Sequence, residues 1–355
     1  MDTSVRVAIV IPEPPWFHGG IERVVSESVR RLRRRFTIEI VCGSTSGKKA
    51  TVEWEGLPVH VFSTMFRTVA PIREIRRLLN EIGPNLVHAH GHSSFAPLAV
   101  ARRPRCIVTP HYHAHPYTRL LKVPRLVWDG WLGEFVYPHV NRIICVSRSE
   151  ADLFSTRCHV PMSEIHLVPN GVDVERLRSA SPVHTDGRML LFTGRVERYK
   201  NLDRIVAALH FLPTDIHLSI IGQGRDERRL ERLAKRYQVE TRVHFLGPLE
   251  DSQAFSWLRS TAAGISLSTT EAFGIFPLEC LAVGKPVIVG PAPGFIDLAA
   301  EFPDSVFVTS IATPPDQIAG RILRAMEAFS PVDVSRYDWN QVTDLMAAKY
   351  LEVCG

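Results

Sequence analysis

Residues 266–290 read SLSTTEAFGIFPLECLAVGKPVIVG, and this stretch decides the fold. Just before it begins the apolar run Ala263–Leu267, fit for a buried strand, and Pro277 sits where a first helical residue would. A helix is therefore predicted to begin near Ile275–Pro277 and to run through Leu278, Cys280, Leu281 and Ala282. Gly284 stops it as the C′ residue, and a second buried strand, Pro286–Val289, follows. The unit is strand, tight loop, helix, strand. Unpaired N–H groups at such a helix start, together with the helix dipole, favour an anion beyond the strand end. Gly274 lets a ligand approach the backbone closely.

Two glutamates straddle this junction. Glu271 lies in the loop and Glu279 is expected in the first helical turn, so both carboxylates reach the same small volume. A carboxylate suits sugar hydroxyls, from which it accepts two charge-assisted hydrogen bonds. The competing reading makes Glu279 a capping-box residue, but Phe276, three positions earlier, offers no capping oxygen.

Outward from this unit the same pattern repeats. Met189–Thr193, His217–Ile221, Arg242–Phe245 and Ser305–Thr309 are further strand-like runs in the second half. The first half has its own series in Val5–Ile11, Thr37–Cys42, Pro58–Phe62, Leu86–Ala89, Arg105–Thr109 and Arg142–Val146. Between them stand helical stripes such as Val24, Val25, Val29 and Leu32, or Ile72, Ile75, Leu78 and Leu79. Strands alternating with helices give parallel, doubly wound sheets that bind ligands at the carboxyl ends of their strands. Because Leu177–Arg188 is polar and contains proline, the chain is read as an α/β protein of two Rossmann-like domains, residues 1–178 and 179–336. Residues 337–355 form a terminal helical segment.

Gly194-Arg195 follows a strand and Lys200 precedes a helix striped with Leu202, Ile205, Val206 and Leu209, so two cations stand at one strand end. Arg offers a planar fork and Lys a point charge, which together suit a diphosphate and its developing charge. There is no Walker-type phosphate loop, and Gly222-Gln-Gly224-Arg-Asp-Glu227 lacks the third glycine of a dinucleotide fingerprint, which disfavours a kinase or a dehydrogenase. No D-x-D pair offers ligands for a divalent metal, so neither metal nor cofactor is expected. A retaining glycosidase would also use paired carboxylates. It is set aside because Glu279 starts a helix in an anion-binding setting.

Composition agrees with a globular enzyme: 355 residues, 45% hydrophobic and 22% charged. No apolar run is long enough for a membrane span, and MDTSVRVAIVIPEPPW reads as a first strand rather than a signal peptide, so a cytoplasmic location is expected. Six cysteines without metal-type pairing read as reduced core thiols. Charge is uneven: residues 1–180 carry 24 Lys plus Arg against 16 Asp plus Glu, while the whole chain is +5. Much of the excess is Arg30, Arg31, Arg33, Arg34 and Arg35 at a helix end. That cluster is either a solvated C-terminal turn or an attraction to an anionic membrane surface. No nucleic-acid motif accompanies it.

The segment around EAFGI, taken with His18-Gly19-Gly20, His88-Ala-His90, Thr109-Pro-His111, Val146-Ser147, Asn170-Gly-Val-Asp173, Gly194-Arg195 with Lys200, Gly222-Gln-Gly224 and Phe245-Leu-Gly247, resembles the retaining, nucleotide-sugar-dependent glycosyltransferases of family 4. The matches run in family order over most of the chain. The resemblance implies the GT-B fold, with the two sheets facing across a cleft and the C-terminal helix returning to the first domain. It implies catalytic roles for His111, Arg195, Lys200 and Glu271, and donor contacts at Gly19, Gly20, Gly194, Gly222, Gly224, Leu249, Phe273, Gly274, Ile275 and Glu279. In this scheme Glu279 holds the ribose and Glu271 the sugar hydroxyls. His111 hydrogen-bonds a sugar hydroxyl or stabilises the oxocarbenium-like transition state, and the Gly19-Gly20 loop closes over the diphosphate. Asn201 stands where the family more often has glycine.

The expected activity is front-face transfer of a hexosyl group, mannose slightly preferred over glucose or N-acetylglucosamine, to a glycan, lipid or lipid-linked acceptor. A nucleotide-sugar epimerase of the same fold, or a non-catalytic sugar-nucleotide-binding protein, is the alternative. The alternating histidines His88, His90, His92 and His111, His113, His115 also raise a zinc site, but both triplets run into loops without a recurring carboxylate or cysteine. Tyr117–Val140 mixes Arg119, Lys122 and Arg125 with Trp128, Trp131, Phe135 and Tyr137. It suits either a helix at a membrane surface or one packed on the sheet.

Overall fold

The structure is a computed structural model that describes residues 5–17, 19–44, 49–63, 70–113 and 122–355. The chain forms two compact units, Met1–Asn170 with Trp339–Gly355, and Gly171–Asp338.

The first unit is built from β1 (Arg6–Ile11), α1 (Gly20–Leu32), β2 (Thr37–Ser44), β3 (Ala50–Trp54), β4 (Leu57–Ser63), α2 (Ala70–Ile82), β5 (Leu86–His90), α3 (Ala96–Val100), β6 (Cys106–Thr109), α4 (Lys122–Phe135), β7 (Arg142–Cys145), α5 (Arg148–Cys158) and β8 (Ile165–Leu167). The strands lie in the order β3-β4-β2-β1-β5-β6-β7-β8. All neighbours are parallel except the β3–β4 hairpin, whose turn residues Glu55 and Gly56 both have positive φ. That is the turn whose twist matches a hairpin. The anticipated stripes do face inward: Val24, Val25, Val29, Leu32, Ile75, Leu78 and Leu79 are buried.

The second unit contains α6 (Val174–Ser179), β9 (Arg188–Thr193), α7 (Leu202–Leu209), β10 (Ile216–Ile221), α8 (Glu227–Arg236), β11 (Val243–Gly247), α9 (Asp251–Ser260), β12 (Ala263–Ser266), α10 (Ile275–Ala282), β13 (Val287–Val289), α11 (Pro293–Glu301), β14 (Val306–Val308) and α12 (Pro315–Glu327). Its sheet runs β11-β10-β9-β12-β13-β14, parallel throughout. Residues Met189–Phe192 of β9 and all of β12 and β13 are buried, as expected where helices cover both faces of such a sheet. Helix α10 ends as the sequence predicts: Gly284 N–H donates to Leu281 O and Lys285 N–H to Cys280 O, the paired bonds of a Schellman cap.

The chain passes between units at Asn170–Gly171, ahead of the boundary read at 178/179. Leu177, taken as linker, is wholly buried in α6, which packs on α9 and α10. The last helix, α13 (Trp339–Cys354), belongs to the first unit: it lies on α1 and β5, with Trp339, Val342, Met346 and Tyr350 buried. All six cysteines are thiols outside any disulfide, and all but Cys354 are buried.

Candidate active site

In the second unit the loop after β9 carries Gly194 and Arg195, then a tight turn, Arg198–Lys200, that opens α7. Arg195 is exposed, and one guanidinium nitrogen donates to the Tyr199 hydroxyl at 2.9 Å. Lys200 Nζ lies 5.0 Å from the centre of the same ring. Tyr199 therefore stands between the two cations and gives both a π face and one an oxygen to rest on. Lys200 reaches across to the loop after β12, where it forms an ion pair with Glu271 Oε1. Three of the predicted residues, Arg195, Lys200 and Glu271, are thus drawn into one chain of contacts. Tyr199 joins them unforeseen; its position between two cations in a strand-end loop was the available signal.

Asn201 takes up the left-handed conformation, φ 52°, a region that favours glycine, the residue the resemblance implies at this position. Its side-chain amide donates to Leu267 O at 2.8 Å and to Tyr199 O, tying the Lys200 turn to the end of β12. Gly222 and Gly224 serve close packing of two loops: a Cβ at either would come within 2.1 Å of a carbonyl oxygen, of Gly194 and Val196 respectively. Gly274 has a φ of 126° and a Cβ there would press on Phe295 at 2.9 Å. On its Cβ side this glycine packs against α11.

Glu279 lies in the second turn of α10, not the first, because the helix already begins at Ile275 and Pro277 is its third residue. It is 2% exposed, whereas the Glu271 side chain is 25% exposed. Burial and the neighbouring Glu279 push the Cys280 thiol well up, which makes it an inert core group. Phe273 is buried with its ring 5.9 Å from Tyr337, Ile275 is half-buried, and Leu249 is half-buried just ahead of α9.

In the first unit the site is made of uncharged rings. His88, at 1% exposure, lies 2.7 Å from the Tyr350 hydroxyl of α13 and 2.8 Å from Thr109 Oγ1. The His88 and His90 rings are 4.1 Å apart, and His90 Nδ1 is 3.0 Å from His111 Nε2. Burial pulls all three imidazoles down; His88 and His111 fall to about 3, with neighbouring histidines adding repulsion. They are neutral near pH 7, so His111 offers a lone pair or one N–H. His92 turns away to Asp129 of α4, at 2.7 Å, and to the Tyr137 hydroxyl. The histidines are divided between two separate networks, and among the described residues no group of His, Cys, Asp or Glu is arranged to hold a metal ion. Gly19 caps α1 and Gly20 begins it; His18 lies outside the described residues.

The α4 segment divides into two faces. Asp129, Leu132 and Val136 are buried, while Val127, Trp131 and Phe135 are exposed, with Trp131 and Phe135 5.8 Å apart. Residues 117–121, Arg119 among them, lie outside the described residues, as do the side chains of Lys122 and Arg125. In the arginine cluster, Arg30 and Arg31 pair with Glu27, Arg30 also with Glu55, and Arg35 with Asp344. Much of its charge is therefore met within the chain. Among the described residues no helix is long and apolar enough to cross a membrane.

Two family models match the chain in succession, Glycosyltransferase Family 4 over residues 18–176 and Glycosyl transferases group 1 over residues 173–329. A GDP-mannose:cellobiosyl-diphosphopolyprenol alpha-mannosyltransferase from Xanthomonas oryzae is 25% identical over 95% of this chain and 94% of its own. Among solved structures, sucrose-phosphate synthase from Thermosynechococcus elongatus superposes with a TM-score of 0.82 at 16% identity, over 98% of this chain and 99% of that one. Anabaena HepE in complex with UDP and glucose does so with a TM-score of 0.76 at 15% identity, over 98% and 99%.

Proposed function

The chain belongs to glycosyltransferase family 4, with the GT-B fold, and from that premise we propose that it moves a hexosyl group, mannose ahead of glucose or N-acetylglucosamine, from a nucleotide-diphosphate sugar to a hydroxyl of a lipid-linked or glycan acceptor, with retention and without metal. The observation that carries this reading is the Arg195–Tyr199–Lys200–Glu271 chain at the strand ends of β9 and β12. Cations for a diphosphate stand beside a carboxylate for sugar hydroxyls. On donor binding Lys200 leaves Glu271 for the diphosphate, and Glu271 turns to the sugar. The acceptor oxygen then bonds to the anomeric carbon on the face the diphosphate leaves. The bond to the phosphate oxygen breaks, and the acceptor's proton passes to that oxygen. Arg195 and Lys200 offset the charge gathering there. Neutral His111 is assigned a hydrogen bond to the sugar, and Glu279 the ribose.

Mannose and the lipid-linked acceptor draw support from the Xanthomonas relative, whose name specifies GDP-mannose and a diphosphopolyprenol glycan. The exposed Val127, Trp131 and Phe135 of α4 fit the lipid surface in which such an acceptor sits. Failure to sediment with anionic vesicles at low salt would remove that part of the reading. The donor is tested by thermal shift with GDP-mannose, UDP-glucose and UDP-N-acetylglucosamine, and with GDP and UDP, in EDTA. A ligand at a hundred times its dissociation constant adds about 2.7 kcal/mol of stability. A shift with one nucleotide, lost in Arg195→Ala, is the expected result; no shift with any would overturn the assignment. Release of nucleotide diphosphate that rises above slow hydrolysis when acceptor is added separates transfer from epimerisation.

A further inference from the structure

Glu150 of α5 is 1% exposed, and its carboxylate does something unusual for its place in a helix. It is the third residue after Ser147, whose hydroxyl accepts the Glu150 N–H at 3.0 Å and caps the helix. In a capping box such a glutamate folds back to the amide of the cap residue itself. Here Oε2 goes one residue further, to the Val146 N–H at 2.6 Å, and Oε1 crosses to the N–H of Tyr112. The carboxylate thereby joins the end of β7 to the turn after β6.

Tyr112 follows His111, and His111 has a φ of 47°. A residue with a side chain holds the left-handed region only where its surroundings over-determine it. Three contacts do so here. Glu150 fixes the amide on the C-terminal side of His111, Asp129 accepts the Tyr112 hydroxyl, and His90 meets the His111 ring with the two rings 21° from coplanar. Of these, the Glu150 contact alone bears on the backbone turn. Both carboxyl oxygens accept N–H groups, which favours the ionised form, while burial opposes it and pushes this carboxyl up to about 8. A helix cap needs no such thing, since Ser147 supplies it already.

We propose that Glu150 is the positioning residue of His111: its carboxylate, by holding the Tyr112 amide, fixes the left-handed turn that aims the imidazole. The proposal rests on the assignment of His111 to the transferred sugar. Its test uses the full chain and GDP-mannose hydrolysis to GDP and mannose, with water as acceptor, or whichever of the three donors the thermal-shift screen selects. Glu150→Gln keeps the size but turns an NH2 toward one of the two amides. Its kcat should fall about 10- to 100-fold, the loss a displacement of about 1 Å produces. The donor KM and the thermal shift by GDP should stay within about twofold. Added to His111→Ala, Glu150→Gln should cost nothing more, because its effect passes through that ring. Ser147→Ala, which removes the cap but leaves the carboxylate, should lower Tm and spare kcat. If Glu150→Gln does not fold, Glu150→Asp carries the test, since its shorter side chain keeps the charge but cannot span both amides. A wild-type kcat in the folded Glu150 variant, or a cost that multiplies with that of His111→Ala, overturns the proposal. A wild-type kcat in His111→Ala itself overturns the underlying assignment instead.

Discussion

The two units share an architecture of parallel strands and covering helices, yet they place opposite chemistry at their strand ends. The second unit gathers formal charges, with Arg195 open to solvent and Lys200 paired to Glu271. In the first, His88 and His90 are buried and His111 half-buried, and desolvation holds all three neutral near pH 7. A low-dielectric, uncharged pocket is a poor host for a diphosphate and a fair one for a sugar ring or its hydroxyls. A solvated set of cations is the reverse. The contrast sets charged groups at the strand ends of the second unit apart from neutral hydrogen-bonding rings in the first.

The largest effect that can break this contrast is Glu271→Ala, which should abolish transfer with the fold intact. The Glu271 side chain is 25% exposed and that of Lys200 12%, so losing the pair leaves a partly sheltered cation and should cost about 1–3 kcal/mol without unfolding the protein. Tm within a few degrees of wild type, together with loss of product, is the expected outcome; full transfer would sink the role. Arg195→Ala should come next, lowering kcat about 10²- to 10³-fold, as removal of one charge-stabilising donor does. If Arg195→Ala instead raised KM alone, the guanidinium would serve ground-state binding and not the departing diphosphate.

What the sequence revealed follows the same division. Charged and glycine positions in the second unit were legible because each stands at a strand end next to a helix start, where period and punctuation locate it. Gly284, read as the stop of α10, closes a Schellman cap. The six strands of that unit were all recognisable as apolar runs. Less of the first unit could be read. β3 is exposed along its length and its turn is Glu55-Gly56, so neither apolar pattern nor an Asn-Gly signal marked it. β8 is three residues long. Glu150 and Asp129 went unremarked because a buried carboxylate looks like any other in one dimension. Only the fold reveals that Tyr112 is held by both. The Arg30–Arg35 cluster is conspicuous in sequence as excess charge, and Glu27, Glu55 and Asp344 meet much of it in three dimensions.

The buried groups of the first unit make its stability depend on pH from both sides. His88 and His111 drop to about 3 in the fold from an ordinary 6.5. The unfolded chain then takes up protons that the folded one does not, so stability is lost as pH falls from about 6.5 toward 3. Glu150 runs the other way, from 4.5 to about 8. Its contribution is full below 4.5 and fades as pH rises through 8. Denaturant titrations should therefore show a maximum between these limits, and Glu150→Gln should flatten the alkaline side and steepen the acid side above pH 4.5, where the two titrations overlap. An acid limb flattened by the same substitution would mean that the histidines and Glu150 are not independent.

The smallest effect concerns Asn201, which separates local strain from tethering inside the charged unit. Its left-handed φ of 52° favours glycine, but its amide makes two hydrogen bonds, to Leu267 O and Tyr199 O. Asn201→Gly relieves the backbone and gives up both bonds, each worth about 1 kcal/mol. Glycine also adds freedom to the unfolded chain, which opposes the relief. The lost bonds outweigh the relief, so Asn201→Gly should cost about 1–2 kcal/mol. Asn201→Ala loses the bonds and keeps the strained φ, and should cost about 1–2 kcal/mol more than glycine. Transfer should follow a different order, because the bond to Leu267 O is what holds the Lys200 turn against β12. Both variants should then lower kcat a few-fold by a similar amount, whatever their stabilities. If glycine restored full kcat and alanine did not, backbone conformation alone would set the position of Lys200, and the amide tether would contribute nothing to the site.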